Sequence, residues 1–391
     1  MTALSAAMEV CNSLSDHMSF GRAESIRRRA GEVLDFSLDI LAEQRPEPAV
    51  AAGARRIRSD GLLFDPVVRD ALEIGLRELK QGQLADESEV FGTLARIGGQ
   101  REPGVLREVP LPVLQLAGQG VGQAEGVQVW SPAAAAPGAS ARFAELCAEQ
   151  LNREGIEART VDSRREDVEL LLRSAELARS LLGGLAVGLF SHVRVVVLVA
   201  GRSVFRSASD RGAPGTVFLR LVPGDQPLTV AELIVHESVH HRLYDLYSSR
   251  SILSAGYQDR AAEPIVAHWN RPSPFDTNLW SPDRALAAFH VYVHLAALFI
   301  RAAQERAHPR SPLLPVLPVG ALPRARQSCD RARYLGEQLR ARSADLGPDG
   351  LHLVEWLLDN LSRLETALPE TAFLETALPE TALPETTAAE G

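Results

Sequence analysis

Residues 215–247 read GTVFLRLVPGDQPLTVAELIVHESVHHRLYDLY, and this stretch decides the fold. Its first part, Gly215–Val222, is rich in β-branched and apolar residues and predicts a strand. PGDQP is a turn. The remainder has apolar residues packed closely around charged ones and predicts a helix. Thr229 and Glu232 have the T-x-x-E spacing of a capping box, which starts that helix just ahead of His236. The chain therefore passes from a strand through a short turn into a helix that carries His236-Glu237-Ser238-Val239-His240, an HEXXH motif.

Outward from this stretch the pattern is mostly helical. Residues 1–98 carry helical periodicity, with Ile26, Ala30, Val33, Leu34 and Leu38 spaced to share a face. PVVRDALEIGLRELKQG repeats the pattern and stops at a glycine. GGQREPG, residues 98–104, reads as a hinge. REVPLPVLQLAG, GVQVWSP and IEARTVD are short strand candidates. VRVVVLVA is a β-branched run that predicts a central strand. ARFAELCAEQLNREG and REDVELLLRSAELARSLLGG are helices that end in glycine. Residues 248–284 are irregular, and strong helices return in RALAAFHVYVHLAALFIRAAQERA and GLHLVEWLLDNLSRLETAL. The expected class is α+β and predominantly helical. A helical N-terminal region covers 1–103, and a mixed region with a small central sheet covers 104–225. The metal-binding helices cover 226–363, and a disordered acidic tail covers 364–391.

That tail repeats LETALPETA at 364–372 and 374–382. It has no aromatic core to pack around, so it reads as extended chain. A second reading makes it a peptide presented to the protein itself. The sortase-like LPET sequence has no apolar anchor and basic stop after it.

A net charge of −9 argues against general nucleic-acid binding, which needs a basic footprint. Three cysteines, Cys11, Cys147 and Cys329, form no CxxC pair, so a disulfide framework or cysteine zinc site is not expected and a cytoplasmic location fits. The N-terminus shows no basic start followed by an apolar block. The apolar run 181–200 has the length of a membrane span, but His192, Arg194 and the glycine pair 183–184 interrupt it. It reads as a helix end, a turn and a buried strand, so no membrane partner is expected.

On a helix, positions i and i+4 share a face, so His236 and His240 can aim ring nitrogens at one ion. Glu237 sits beside them. In a zinc peptidase it is the general base on a metal-bound water. His241 points away, toward the surroundings of the site or the surface. Two protein ligands rarely complete a metal site. The third comes from His290 or His294, again at i and i+4 on an apolar helix, or from Glu263, where Pro264 disfavours helix. His290 is the expected ligand, with His294 beside it. The longer HEXXHxxGxxH pattern of one zinc-protease class is absent.

SASDRGAPGTVFL, PLTVAELIVHESVHHRLYDL, HWNRPSP and AFHVYVHLAALFI occur in an order that resembles the HEXXH-motif proteins of ribosomally made peptide pathways. That family is regarded as 2-oxoglutarate- and iron-dependent peptide β-hydroxylases. The resemblance covers roughly residues 20–345, with sharp motifs from about 206 to 300. It implies Fe(II) held by His236, His240 and a histidine of the downstream helix, matched by His290. It also implies 2-oxoglutarate as cofactor, O2 as co-substrate, a precursor peptide as partner, and hydroxylation of a side-chain Cβ. Glu237 then orients a ligand or water. The family's Trp-Arg pair is interrupted here as Trp269-Asn270-Arg271. Arg271 is the candidate clamp for the distal carboxylate of 2-oxoglutarate, with Arg284 in reserve. The alternatives from the residues alone are a zinc metallopeptidase and a non-catalytic peptide-binding protein.

Overall fold

A computed structural model describes residues 3–59, 61–99, 113–114, 127–132, 139–153, 157–201, 205–259, 261–270, 277–308, 311–318 and 320–368. In chain order the helices are α1 (Ala3–Asp16), α2 (Ala23–Gln44), α3 (Pro48–Ser59), α4 (Pro66–Lys80), α5 (Glu89–Gly99), α6 (Ala139–Arg153), α7 (Arg165–Leu182), α8 (Gly184–Phe190), α9 (Pro227–Ser249), α10 (Pro282–Ala307), α11 (Ala321–Ala341) and α12 (Pro348–Thr366). The strands are β1 (Val113–Leu114), β2 (Val127–Trp130), β3 (Ala158–Thr160), β4 (Val195–Gly201), β5 (Ser207–Ala208), β6 (Thr216–Leu219), β7 (Ile265–Val266) and β8 (Leu279–Trp280). The class is α+β and predominantly helical, as the sequence predicts. The hinge at 98–104 lies outside the described residues from Gln100 onward.

The chain forms two compact units, each drawn from separated stretches. One comprises Arg27–Val168 and Ser191–Leu221. Its sheet runs β1-β2-β4-β6-β5, and β3 pairs with β4. β2, β4 and β6 are parallel, while β1, β3 and β5 join antiparallel. Val195–Val199 of β4 are all buried, the continuous apolar run of a central strand rather than the alternation of a half-exposed one. Trp130 meets Phe143 of α6 edge-to-face at 5.3 Å, in a core shared with Leu146, Val197 and Phe218. A second core joins α2 through α5 around Leu38, Leu41, Leu72 and Leu94. Val33 departs from expectation, being 39% exposed: the apolar face of α2 runs through Leu34 and Leu38 instead.

Arg142 of α6 gathers Glu89, Glu145 and Glu149, with Asp70 at 3.9 Å. One cation faces several carboxylates. Burial, and then the neighbouring glutamates against the pull of Arg142, push the Asp70 carboxyl up to about 7. A carboxyl raised on folding makes the native state bind more protons than the unfolded chain between pH ~4 and ~7. Its contribution is therefore lost as pH rises through 7. Asp70→Asn is expected to stabilise the protein at pH 8 and to lose that advantage by pH 4. The slope of the difference is at most about 1.4 kcal/mol per pH unit. Urea melts at the two pH values measure it, and an Asn variant less stable at pH 8 would contradict the assignment.

The other unit comprises Met1–Ile26, Glu169–Phe190 and Val222–Gly391. α10 is its centre, packed by α11, α9, α1 and α12. It is long and apolar enough to cross a membrane, but its apolar surface is buried inside the protein. The run 181–200 resolves into the end of α7, a left-handed Gly183, the short helix α8 and then β4. α8 is an element the sequence reading omits. α12 reaches Thr366, and Leu364 and Ala367 are buried, so the first residues of the repeat belong to the packed helix. The remainder of the repeat, from Pro369, lies outside the described residues. Cys11, Cys147 and Cys329 are buried free thiols.

Candidate metal centre

α9 begins earlier than its sequence suggests. Gln226 is the N-cap without a side-chain hydrogen bond, and Pro227 occupies the first helical position. Proline suits that place because its missing N–H is one that the helix leaves unpaired anyway. The capping box is therefore not formed: Thr229 lies inside the first turn, and Glu232 pairs instead with Arg324 of α11. This longer start leaves His236 and His240 well inside a regular helix, where their spacing is most rigid. Leu233, Val235 and Val239 are buried around them.

His236 and His240 face each other with their Nε2 atoms 3.1 Å apart. With nitrogen–metal bonds of about 2.0–2.1 Å, that separation corresponds to roughly 95–102° at a shared ion. Such an angle fits tetrahedral zinc and octahedral iron alike. Glu237 is 1% exposed, and its carboxylate joins the two nitrogens in a group whose ligand atoms lie within 4.8 Å of one another. Among the described residues this is the group able to hold a metal ion. Tyr244, one turn beyond His240, stacks its ring on that imidazole at 6.3 Å and 18°. His241 is buried against Tyr244, so the surface placement is corrected.

The candidate third ligands separate. Glu263 is on the surface, its side chain 81% exposed and paired with Arg342 at 3.5 Å. His294 is buried on α10, with both nitrogens engaged. Its Nδ1 faces the His290 carbonyl at 2.8 Å, so that nitrogen carries the proton, and its Nε2 accepts from Arg242 at 3.4 Å. Burial, reinforced by the Arg242 charge, pulls the His294 imidazole down to about 3, so the ring is neutral. His290 is buried too, its ring 4.7 Å from that of His294 and outside the three-residue group. The two helices run antiparallel, tied by a hydrogen bond from the Tyr247 hydroxyl to Asp283.

Arg271 lies outside the described residues. Asn270, the residue that interrupts the Trp-Arg pair, donates from Nδ2 to the Thr277 carbonyl at 3.0 Å. Arg284, in the first turn of α10, lies over Trp280 at 4.7 Å. Trp280 in turn meets Trp269 edge-to-face, and Trp269 also contacts Tyr292 and Tyr334. His268 is exposed on Tyr334, away from the three-residue group. The sequence reading missed Tyr244 and the buried Arg242. α9 mixes polar with apolar residues throughout, so neither stood out in the sequence.

A scan of the sequence against protein-family models finds no match, and a search of curated proteins likewise finds none.

Proposed function

We propose that the chain is an Fe(II)- and 2-oxoglutarate-dependent oxygenase that hydroxylates a side-chain Cβ of a ribosomally made precursor peptide in the cytoplasm. The observation that carries the metal is the 3.1 Å imidazole pair on α9. The order of motifs through residues 206–300 selects the oxygenase among metal chemistries. His236 and His240 hold the ion, and His290, buried on α10 and outside the three-residue group, is the proposed third ligand. A facial set of three protein ligands leaves positions for a keto acid and O2. When bound, Fe(II) and 2-oxoglutarate supply oxidative decarboxylation to succinate and CO2, coupled to insertion of one oxygen atom into a C–H bond.

The protein's own groups position and shield. Glu237, buried beside both histidines, accepts a hydrogen bond from a water or ligand at the ion. Tyr244 holds the plane of His240. Arg271 or Arg284 forks onto the distal carboxylate of the keto acid. The candidate substrates include the chain's own LPET repeat.

A zinc metallopeptidase is the second reading. It is favoured by the Glu237 carboxylate lying within 4.8 Å of both nitrogens, where a general base on metal-bound water belongs. One experiment separates the two. Protein purified without oxygen is supplied with Fe(II), 2-oxoglutarate, O2 and a synthetic repeat peptide, and succinate is assayed. Succinate together with a peptide one oxygen atom heavier is the expected result. Zinc-dependent cleavage without succinate would replace the oxygenase by the peptidase.

A further inference from the structure

Three arginines of α11, Arg326, Arg333 and Arg340, stand seven residues apart and so share one stripe of the helix. α12 runs antiparallel along that stripe and answers two of them. Arg340 forks onto Glu355 at 2.8 and 2.6 Å. Seven residues back on α11 and seven forward on α12, Arg333 reaches Ser362 at 2.9 Å, with Glu365 at 3.2 Å. The next step of seven sets Arg326 against position 369, and Glu370 follows it. Arg326 is exposed and has no hydrogen-bond or ion-pair partner among the described residues. Asp330, one turn along, forms no ion pair with it.

The reach is short. Arg326 lies about 10 Å along α11 from Arg333, and α12 covers roughly 6 Å of that between Ser362 and Thr366. The chain is still held beyond that point. Ala367 is buried, and its carbonyl accepts from Gln304 of α10 at 3.0 Å. The Leu368 N–H closes a last turn on the Glu365 carbonyl at 3.3 Å. Glu370 is two residues on. Residues 369–391 carry five glutamates and no lysine or arginine, so their charge complements an arginine stripe. Continued past Arg326, the chain heads for the N-terminal end of α11. There Arg324 pairs with Glu232 of α9, one turn ahead of His236.

We infer that the first LPET copy, 368–371, is a docking element: Glu370 pairs with Arg326 on α11, and the later copies, 378–381 and 383–386, are delivered to the metal helix in cis. The delivery rests on the oxygenase reading of the site, and the docking does not. The second copy begins eight residues beyond Glu370. Eight extended residues span about 26 Å, enough to cross a helix about 10–12 Å wide. An exposed ion pair is weak alone, but the tether holds this carboxylate beside its guanidinium at high effective concentration. Each hydroxylation places one atom of O2 in a C–H bond and the other in succinate, as 2-oxoglutarate loses CO2.

The tail supplies its own control, since ALPETA occurs identically at 367–372 and 377–382. Digestion of the whole chain with glutamyl endopeptidase compares cleavage after Glu370 and after Glu380. Arg326→Ala is expected to speed cleavage after Glu370 about two- to fivefold, the range of an exposed ion pair, and to leave Glu380 unchanged. Arg326→Lys should keep the protection, and salt at about 1 M should remove it. Arg363 of α12, exposed seven residues before Glu370, is the rival cation. Faster cleavage in Arg363→Ala but not in Arg326→Ala, or in neither, overturns the docking. Incubation with Fe(II), 2-oxoglutarate and O2, followed by mass analysis of the tail, reads the delivery. One oxygen atom gained within 374–386 and none within 368–371 is expected, at a rate independent of protein concentration. Oxygen in the first copy, or a rate that rises with protein concentration, overturns delivery in cis. Docking with no oxygen gained in any copy removes the tail as substrate. Oxygen gained without docking leaves the oxygenase reading intact and removes the role of Arg326.

Discussion

His240→Ala is expected to lose metal binding at the α9 site while the helical fold persists. The ring is one of two nitrogens that meet across 3.1 Å, and one imidazole does not chelate. Losing an outer partner of a metal ligand already costs ~10–100-fold in affinity, so losing a ligand itself should cost at least ~100-fold. Fold retention follows from what the ring does without an ion. Two imidazole nitrogens facing each other need one to donate and the other to accept, which gives the protein little stability. The 23-residue helix is held by its other buried faces, including Leu233, Val235, Leu243 and Leu246. Titration calorimetry with Fe(II) or Zn(II), beside far-UV circular dichroism, measures both halves. Unchanged affinity would move the metal elsewhere. Glu237→Gln makes the matching variant, since it keeps the ring pair and removes only the carboxylate charge. Metal binding with succinate formation intact fits the oxygenase. Metal binding with peptide cleavage lost fits Glu237 as the base of a peptidase.

The parts of this centre that were legible in the sequence are those set by local geometry. An i, i+4 histidine pair needs only a helix, and α10 announces itself by a long apolar run. α11 did not. Its sequence ALPRARQSCDRARYLGEQLRA is rich in arginine, and its buried stripe is made of small residues: Ala321, Ala325, Ser328, Cys329, Ala332 and Gly336 beside Leu335 and Leu339. Small residues carry weak hydropathy but let helices approach closely, so the helix that packs most extensively on α10 has the faintest periodicity. A Cβ at Gly336 would lie 2.9 Å from the Phe289 ring, which shows how closely the two helices pack. The capping box was a correct pattern in the wrong place, because Pro227 started the helix two positions ahead of Thr229. Tertiary partners decided the remaining residues. Glu263, already disfavoured by Pro264, is drawn to the surface by Arg342, and the burial of Arg242 comes from the helices packed on α9.

In the unit that holds the sheet, Gly53→Ala is expected to be the most damaging one-carbon change. α3 and α5 pack backbone to backbone through paired contacts. A Cβ at Gly53 would lie 2.0 Å from the Leu94 carbonyl oxygen, and one at Gly98 would lie 2.3 Å from that of Ala49. The numbers in each pair have the same sum, so the two helices run antiparallel with one register, and each glycine receives the other helix's carbonyl. Backbone cannot rotate out of the way as a flexible side chain can. The helices must separate by an ångström or more along a seam that also buries Val50, Ala54, Ile57 and Ile97. Overpacking of this kind costs about 1–3 kcal/mol and more where relief is blocked. Alanine's better helix propensity returns at most ~1 kcal/mol of that. Gly92, on the exposed face of α5, isolates the propensity term, since a Cβ there meets nothing within 4 Å. Gly92→Ala should therefore stabilise by up to ~1 kcal/mol while Gly53→Ala destabilises by ~3 kcal/mol, opposite signs for the same atom added to two neighbouring helices. Paired urea melts read the difference directly, and equal stabilities for the two variants would mean that the α3–α5 seam is not closed by its glycines.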